Sequence, residues 1–134
     1  MKKKLLTFLI FLPMILLAQE ENKAYILNFT SITFKDIKKT EPNEENIEIK
    51  IYVLFNYGTN SDAKLYYPDG SFHLFKRVSK TEDDKLDNGI TFQGFKALDE
   101  NGNEVLVLLY SNNVVKFIFL DEWSKPDSSI TLYP

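Results

Sequence analysis

No cysteine occurs anywhere in the chain. Disulfide staples, thiol nucleophiles and thiolate metal sites are thereby excluded together, and stability has to come from a packed core. Histidine is almost as scarce. His73 is the only one, so a metal centre built on several imidazoles cannot form within one chain, and its place in an alternating run reads as a half-exposed strand residue. Glycine and proline number five each and stand singly, mostly between apolar runs. Phosphate-cradling glycine loops are therefore missing, as is the Gly-x-Ser-x-Gly turn that would expose a serine nucleophile. A basic stripe is missing too, and the formal net charge is −3. Phosphate neutralisation supplies most nucleic-acid affinity, so that partner class is excluded.

The first residues have a different character. Lys2, Lys3 and Lys4 precede an apolar run over residues 5–17, and Ala18 provides a small residue before Gln19. This order of charge, apolar stretch and small residue predicts a secretory signal peptide over residues 1–18. Leu16, three positions before the break, is larger than such sites prefer. The run is shorter than the ~20 residues a spanning helix needs, and Pro13 interrupts it. With no cysteine at the new N-terminus, lipoprotein processing is excluded. The sequence thus predicts a periplasmic or secreted protein with no membrane span in its mature form. Residues 19–23 read as a flexible lead-in and residues 24–134 as a single domain. Loss of residues 1–18 removes three lysines and no acids, taking the formal charge to −6.

What remains is rich in aromatic and β-branched residues, with seventeen aromatic side chains after residue 18. Residues 24–34 read as a first strand and residues 36–46, polar and containing Pro42, as a loop. Residues 47–55 alternate most cleanly: Ile47, Ile49, Ile51, Val53 and Phe55 fall on one face. After a small-residue loop, residues 64–67 and 71–78 flank Pro68-Asp69-Gly70 and predict a hairpin. In its second arm Phe72, Leu74 and Val78 share one face, and His73, Phe75 and Arg77 the other. Residues 79–88 read as a solvated, acid-rich connection. Residues 121–129 read as a loop around Pro126, and residues 130–133 as a short closing strand.

Residues 89–120 organise the domain as three apolar runs joined by Asn101-Gly102 and Asn112-Asn113. Read as two-residue turns, these pair Phe95 with Leu108 and Leu108 with Phe117. Phe95, Ala97, Leu106, Leu108, Tyr110, Val115, Phe117 and Phe119 then share a core face. Val105, Val107, Leu109 and Ile118 occupy the opposite face, to be covered by the first strands, by Ile130 and Leu132, or by a partner. A bulge is predicted at Gly94, where the apolar phase slips. The whole predicts an all-β antiparallel meander of about seven or eight strands, a small barrel being favoured over a two-sheet sandwich.

Residues 17–20, Tyr67-Pro68-Asp69-Gly70-Ser71, and Asp99-Glu100-Asn101-Gly102-Asn103-Glu104 before a Val-Leu strand resemble small exported all-β proteins of Bacteroidota. The resemblance implies an exported β-domain and no activity. It is not a likeness to lipocalins, whose Gly-x-Trp signature in the first strand is missing. The acidic groups Glu82-Asp83-Asp84-Asp87 and 99–104 read as a solvated run and a turn, since Gly102 is misplaced for a calcium loop. No catalytic constellation, metal set or cofactor motif is present in the sequence. The reading is a non-catalytic binding module for a small apolar ligand or a protein partner. The alternative is a structural, envelope-associated interaction protein, and a hydrolase ranks last. Tyr52, Tyr57, Tyr66, Tyr67 and Trp123, at strand ends or in loops, are candidate ligand or partner contacts, joined by Val107, Leu109 and Ile118 on the second meander face.

Overall fold

Among the described residues nine strands follow one another: β1 (Tyr25–Asp36), β2 (Asn43–Tyr57), β3 (Asp62–Tyr66), β4 (Phe72–Arg77), β5 (Glu82–Lys85), β6 (Thr91–Leu98), β7 (Glu104–Tyr110), β8 (Val115–Leu120) and β9 (Pro126–Tyr133). The computed structural model describes residues 23–38 and 43–134. The predicted signal peptide over residues 1–18, the predicted lead-in up to residue 22, and Pro42 lie outside the described residues. Among those described there is no helix long and apolar enough to cross a membrane.

Each strand pairs antiparallel with the next around the sheet, and β1 meets β9. Closure comes from β4, which pairs with β6 through Lys76–Leu98 and Arg77–Ala97. β5 pairs with the same edge of β6 further along, from Glu82–Gly94 to Lys85–Thr91. β4 and β5 are thus one stave of the barrel with a local break between them. Within the break the Val78 N–H donates to the Lys96 carbonyl at 2.9 Å, and the Ser79 hydroxyl accepts the Lys96 N–H at 2.7 Å. The result is a closed barrel of eight staves, as the meander pattern predicted. Residues 79–88 are therefore not merely a solvated connection. The β6 edge needs hydrogen-bond partners, and the acidic β5 supplies them although every one of its residues is exposed. The polar stretch after residue 34 is likewise partly strand, with Phe34 opposite Glu45 and Asp36 opposite Asn43. β9 begins at Pro126, a first-residue position where proline's missing N–H does least harm to a ladder.

One turn design recurs. In the hairpins at Tyr67, Leu86, Asp99, Tyr110 and Asp121, the first residue pairs with the fifth and its carbonyl accepts the N–H of the fourth. The fourth residue has positive φ in every case: Gly70, Gly89, Gly102, Asn113 and Ser124. These are three-residue loops, a type I turn closed by a left-handed residue. The two-residue reading of Asn101-Gly102 and Asn112-Asn113 is corrected by one position on each side. Phe95 pairs with Val107, and Val107 with Phe117.

A one-residue slip exchanges the faces of β7. Val105 and Val107 point inward and are completely buried, while Leu106, Leu108 and Tyr110 point outward. Among the described residues no second layer covers that outer face; β9 pairs with β8 edge to edge instead. Gly94 carries no bulge in the β6–β7 ladder, which runs without interruption. A Cβ there would come within 2.8 Å of Leu108 Cδ2, so the glycine makes room for an outward leucine. A register shift does occur in β1, between Phe29 and Ser31, which brings both Phe29 and Ile32 into the core.

The interior is solid. Val53, Ala63, Leu65, Ala97, Val105, Val107, Val115, Phe117 and Leu132 have no surface that water can touch, and the Phe75 and Phe117 rings lie 4.6 Å apart. A ligand has no room in the middle of the barrel, only at its ends. The corrected register is tested by a pair of substitutions. Val107→Lys buries an unpaired charge and lowers unfolding free energy by more than about 3 kcal/mol. Ile118→Lys, on the outer face, costs less than about 1 kcal/mol. Urea unfolding midpoints for both variants check this, and similar midpoints would refute the inward placement of Val107.

Candidate functional site

The meander sends the β1–β2, β3–β4, β6–β7 and β8–β9 connections to one end of the barrel, here the first end. The second end carries the β2–β3 loop, the β5–β6 turn and the β7–β8 turn. There β5, β6 and β7 continue past the core as a wall. Asp83, Gln93 and Leu109 lie side by side in the ladder on this wall, by the registers Asp83–Gln93 and Gln93–Leu109. Opposite stand Tyr25, at the start of β1, and Phe55 and Asn56, near the end of β2. Between them opens a cavity of about 400 Å³ lined by Tyr25, Phe55, Arg77, Asp83, Phe95 and Leu109 among others. Its floor is aromatic: Phe55 and Phe95 are almost wholly buried, and Tyr25 stacks on Phe55 at 5.3 Å.

Arg77 is the cation of this mouth, and Asp83 on the wall is its carboxylate. Alternation along β4 places it on the inward face with His73 and Phe75. Its guanidinium carbon lies 3.9 Å from the centre of the Phe95 ring, a cation–π contact. Nη1 donates to the Thr81 hydroxyl at 3.0 Å. Nε is buried and has no partner. The nearby Asp62 spends a carboxylate oxygen on the Arg77 backbone N–H at 2.9 Å. Among the described residues no carboxylate reaches the guanidinium within 4.0 Å, so the charge lacks an ion-pair partner. Burial pulls the Arg77 pKa down from its ordinary value, with Tyr25 and Asp62 acting the other way. An arginine remains cationic at neutral pH regardless. Burial also raises the Tyr25 hydroxyl, against a smaller opposing effect of Arg77, so Tyr25 enters the mouth as a neutral donor. Among the described residues the lining of this mouth brings together the Arg77 guanidinium, the Tyr25 hydroxyl, the Asp83 carboxylate and two phenylalanine rings.

Compared with protein-family models, curated proteins and solved structures, the chain matches none.

The predicted contact residues are dispersed. Leu109 lines the second mouth. Val107 is inside the core, and Ile118 is on the outer face beside Leu106. Tyr52 and Tyr66 stack at 4.7 Å on the outside of β2 and β3, and Phe72 of β4 continues the row at 5.4 Å from Tyr66. Lys64 Nζ joins Tyr57 to this group, 3.9 Å from its ring and 4.7 Å from that of Phe72. Tyr52, Tyr66 and Phe72 contact one another across the strands, while Tyr52, Tyr57 and Phe72 stay exposed on the outer wall. A larger depression of about 710 Å³ runs from Asp84 and Lys85 to Tyr110 and Asn113. Its charged residues, Asp83, Asp84 and Lys85, lie on the exposed strand β5.

The first end carries Tyr67, His73 and Trp123. Tyr67 meets His73 edge to face at 5.4 Å, and His73 Nδ1 lies 3.3 Å from Glu100 Oε1. No serine or threonine hydroxyl bonds to this histidine among the described residues, and no group of three or more potential ligands is placed to hold a metal ion. Trp123 is 70% exposed at the tip of the β8–β9 turn. The turn is built on Asp121, which accepts the N–H groups of Trp123 and Lys125 and the Lys38 ammonium at 2.8 Å. Lys38 foremost, then the Lys125 N–H, hold the Asp121 carboxyl down to about 2 from 3.8. A depressed folded value stabilises the native state above the ordinary carboxylate range, and that contribution is lost as pH falls through about 2. Carbon-13 titration of the Asp121 carboxyl is expected to show a midpoint near 2, with faster amide exchange at Trp123 and Lys125 below it. A midpoint near 3.8 would contradict the Lys38 contact.

Proposed function

We propose that the protein is an exported, non-catalytic binding module whose ligand seat is the second mouth of the barrel. The carrying observation is Arg77: a half-buried cation without an ion-pair partner among the described residues, lying on Phe95 in a solvent-open cavity with an aromatic floor and polar walls that include Asn56, Thr81, Asp83 and Gln93. Small ligands bind in concave sites of a few hundred Å³ where apolar surface and convergent polar groups meet, and here the Phe55 and Phe95 floor meets the polar rim. The solid interior supports a ligand held at the mouth instead of enclosed in the barrel. Export is supported by the charge, apolar run and small residue over residues 1–18, and by the resemblance to small exported all-β proteins of Bacteroidota.

The test is an amide NMR titration of residues 19–134 with small amphiphiles. Shift changes are expected at Tyr25, Asn56, Arg77, Gln93 and Leu109, with Tyr66 and Trp123 unmoved. Changes confined to other surfaces, or none at all, would overturn this reading in favour of an interaction protein without a small ligand.

A further inference from the structure

We propose that the second mouth selects a monoanionic amphiphile, a carboxylate on a short apolar body, with Arg77 receiving the carboxylate. This deepens the binding-module reading and rests on it. The body of such a ligand meets Phe55, Phe95, Leu109 and the ring of Tyr25. Its head meets the one cation lining the cavity.

Three features of the mouth favour this class over a neutral or cationic one. The Arg77 guanidinium has no carboxylate within ion-pair distance among the described residues, so an incoming anion displaces no internal partner. Nη1 is committed to Thr81, while Nε has no acceptor among the described residues. A buried donor left without an acceptor is unfavourable, and a planar carboxylate matches the forked edge of a guanidinium. Nε is also closed to water, so its partner arrives only with a small movement of the guanidinium or its neighbours. An anion seated against the cation supplies both the acceptor and the pull. Third, the face of the guanidinium is already occupied by Phe95, which leaves its edge for the ligand.

The charge limit comes from the wall. Asp83 stands in the same ladder row as Gln93 and Leu109, and it lines the same cavity. One anion can be neutralised by Arg77, whereas a second would face Asp83. A dianion such as a phosphate monoester is therefore disfavoured.

Octanoate, 1-octanol, octylammonium and octyl phosphate, titrated at pH 7 into residues 19–134 and followed by second-mouth amides, test the assignment. Octanoate is expected to bind at least tenfold tighter than 1-octanol, with octylammonium and octyl phosphate weaker than octanoate. Arg77→Gln is expected to remove the preference for octanoate over 1-octanol. Asp83→Asn, on an exposed strand, is expected to tighten octyl phosphate several-fold and provides a reading independent of whether Arg77→Gln folds. Equal binding of octanoate and 1-octanol would overturn anion selection while leaving the mouth as a binding site. Equal binding of octanoate by wild type and folded Arg77→Gln would do the same. If none of the probes moves second-mouth amides, the binding-module reading itself fails. If Asp83→Asn leaves octyl phosphate unchanged, the limit to one charge is wrong.

Discussion

The seam between β4 and β6 is the constraint on which the rest of the molecule depends. Only two residue pairs form its ladder, supplemented by the Val78 N–H to the Lys96 carbonyl and by the Ser79 hydroxyl under the Lys96 N–H. That small set of bonds converts an open sheet into a closed wall. It removes two long edges that would otherwise offer unpaired backbone to other chains. It also decides where Arg77 lies. As the last residue of β4, Arg77 is brought over Phe95 of β6 only because the two strands meet there. The break after the seam then turns β5 into an extension of the wall, without which the second end would have no depth.

Much of this architecture was legible in the chain. The alternation from Ile47 to Phe55, the turn residues around Gly70 and the three apolar runs after Gly89 predicted an antiparallel meander and a barrel. Register was not legible, for a definite reason. β7 is apolar on both faces, so Val105, Val107 and Leu109 compete with Leu106, Leu108 and Tyr110 without any polar residue to break the tie. The dipeptides Asn101-Gly102 and Asn112-Asn113 suit both turn lengths. What decides is side-chain chemistry nearby: the Asp99 carboxylate accepts N–H bonds from Asn101 and Asn103, and Asn112 accepts one from Val114. β5 was hidden differently, because an exposed Glu-Asp-Asp-Lys run has no hydrophobic signature and is held by backbone bonds alone.

The candidate site was the least legible part. Leu109 was singled out for the wrong face and yet lines the mouth. Arg77 was not singled out, since a basic residue ending a polar-flanked strand looks like ordinary surface. Its neighbours Tyr25, Phe55, Phe95 and Leu109 come from four other strands, and no local pattern assembles them. The exposed tyrosines had the opposite fate. Tyr52 and Tyr66 attract notice by composition, but their faces are turned toward each other and toward Phe72, so they stiffen the outside of β2, β3 and β4.

The pairing of β1 with β9 has a consequence for the order of assembly. Ser31 lies opposite Tyr133, about a hundred residues later in the chain, whereas the other neighbouring staves are separated by short turns. A ribosome delivers the N-terminus first. The hairpins from β1 onward can therefore form as they emerge, but β1 keeps one bare edge until β9 has been made. Through that interval Ile32 and Phe34, which end up against Leu132 and Ile130, have no covering neighbour on that side. The first strand to appear is in this sense the last to be completed, and the nascent chain is most adhesive at the strand that has waited longest.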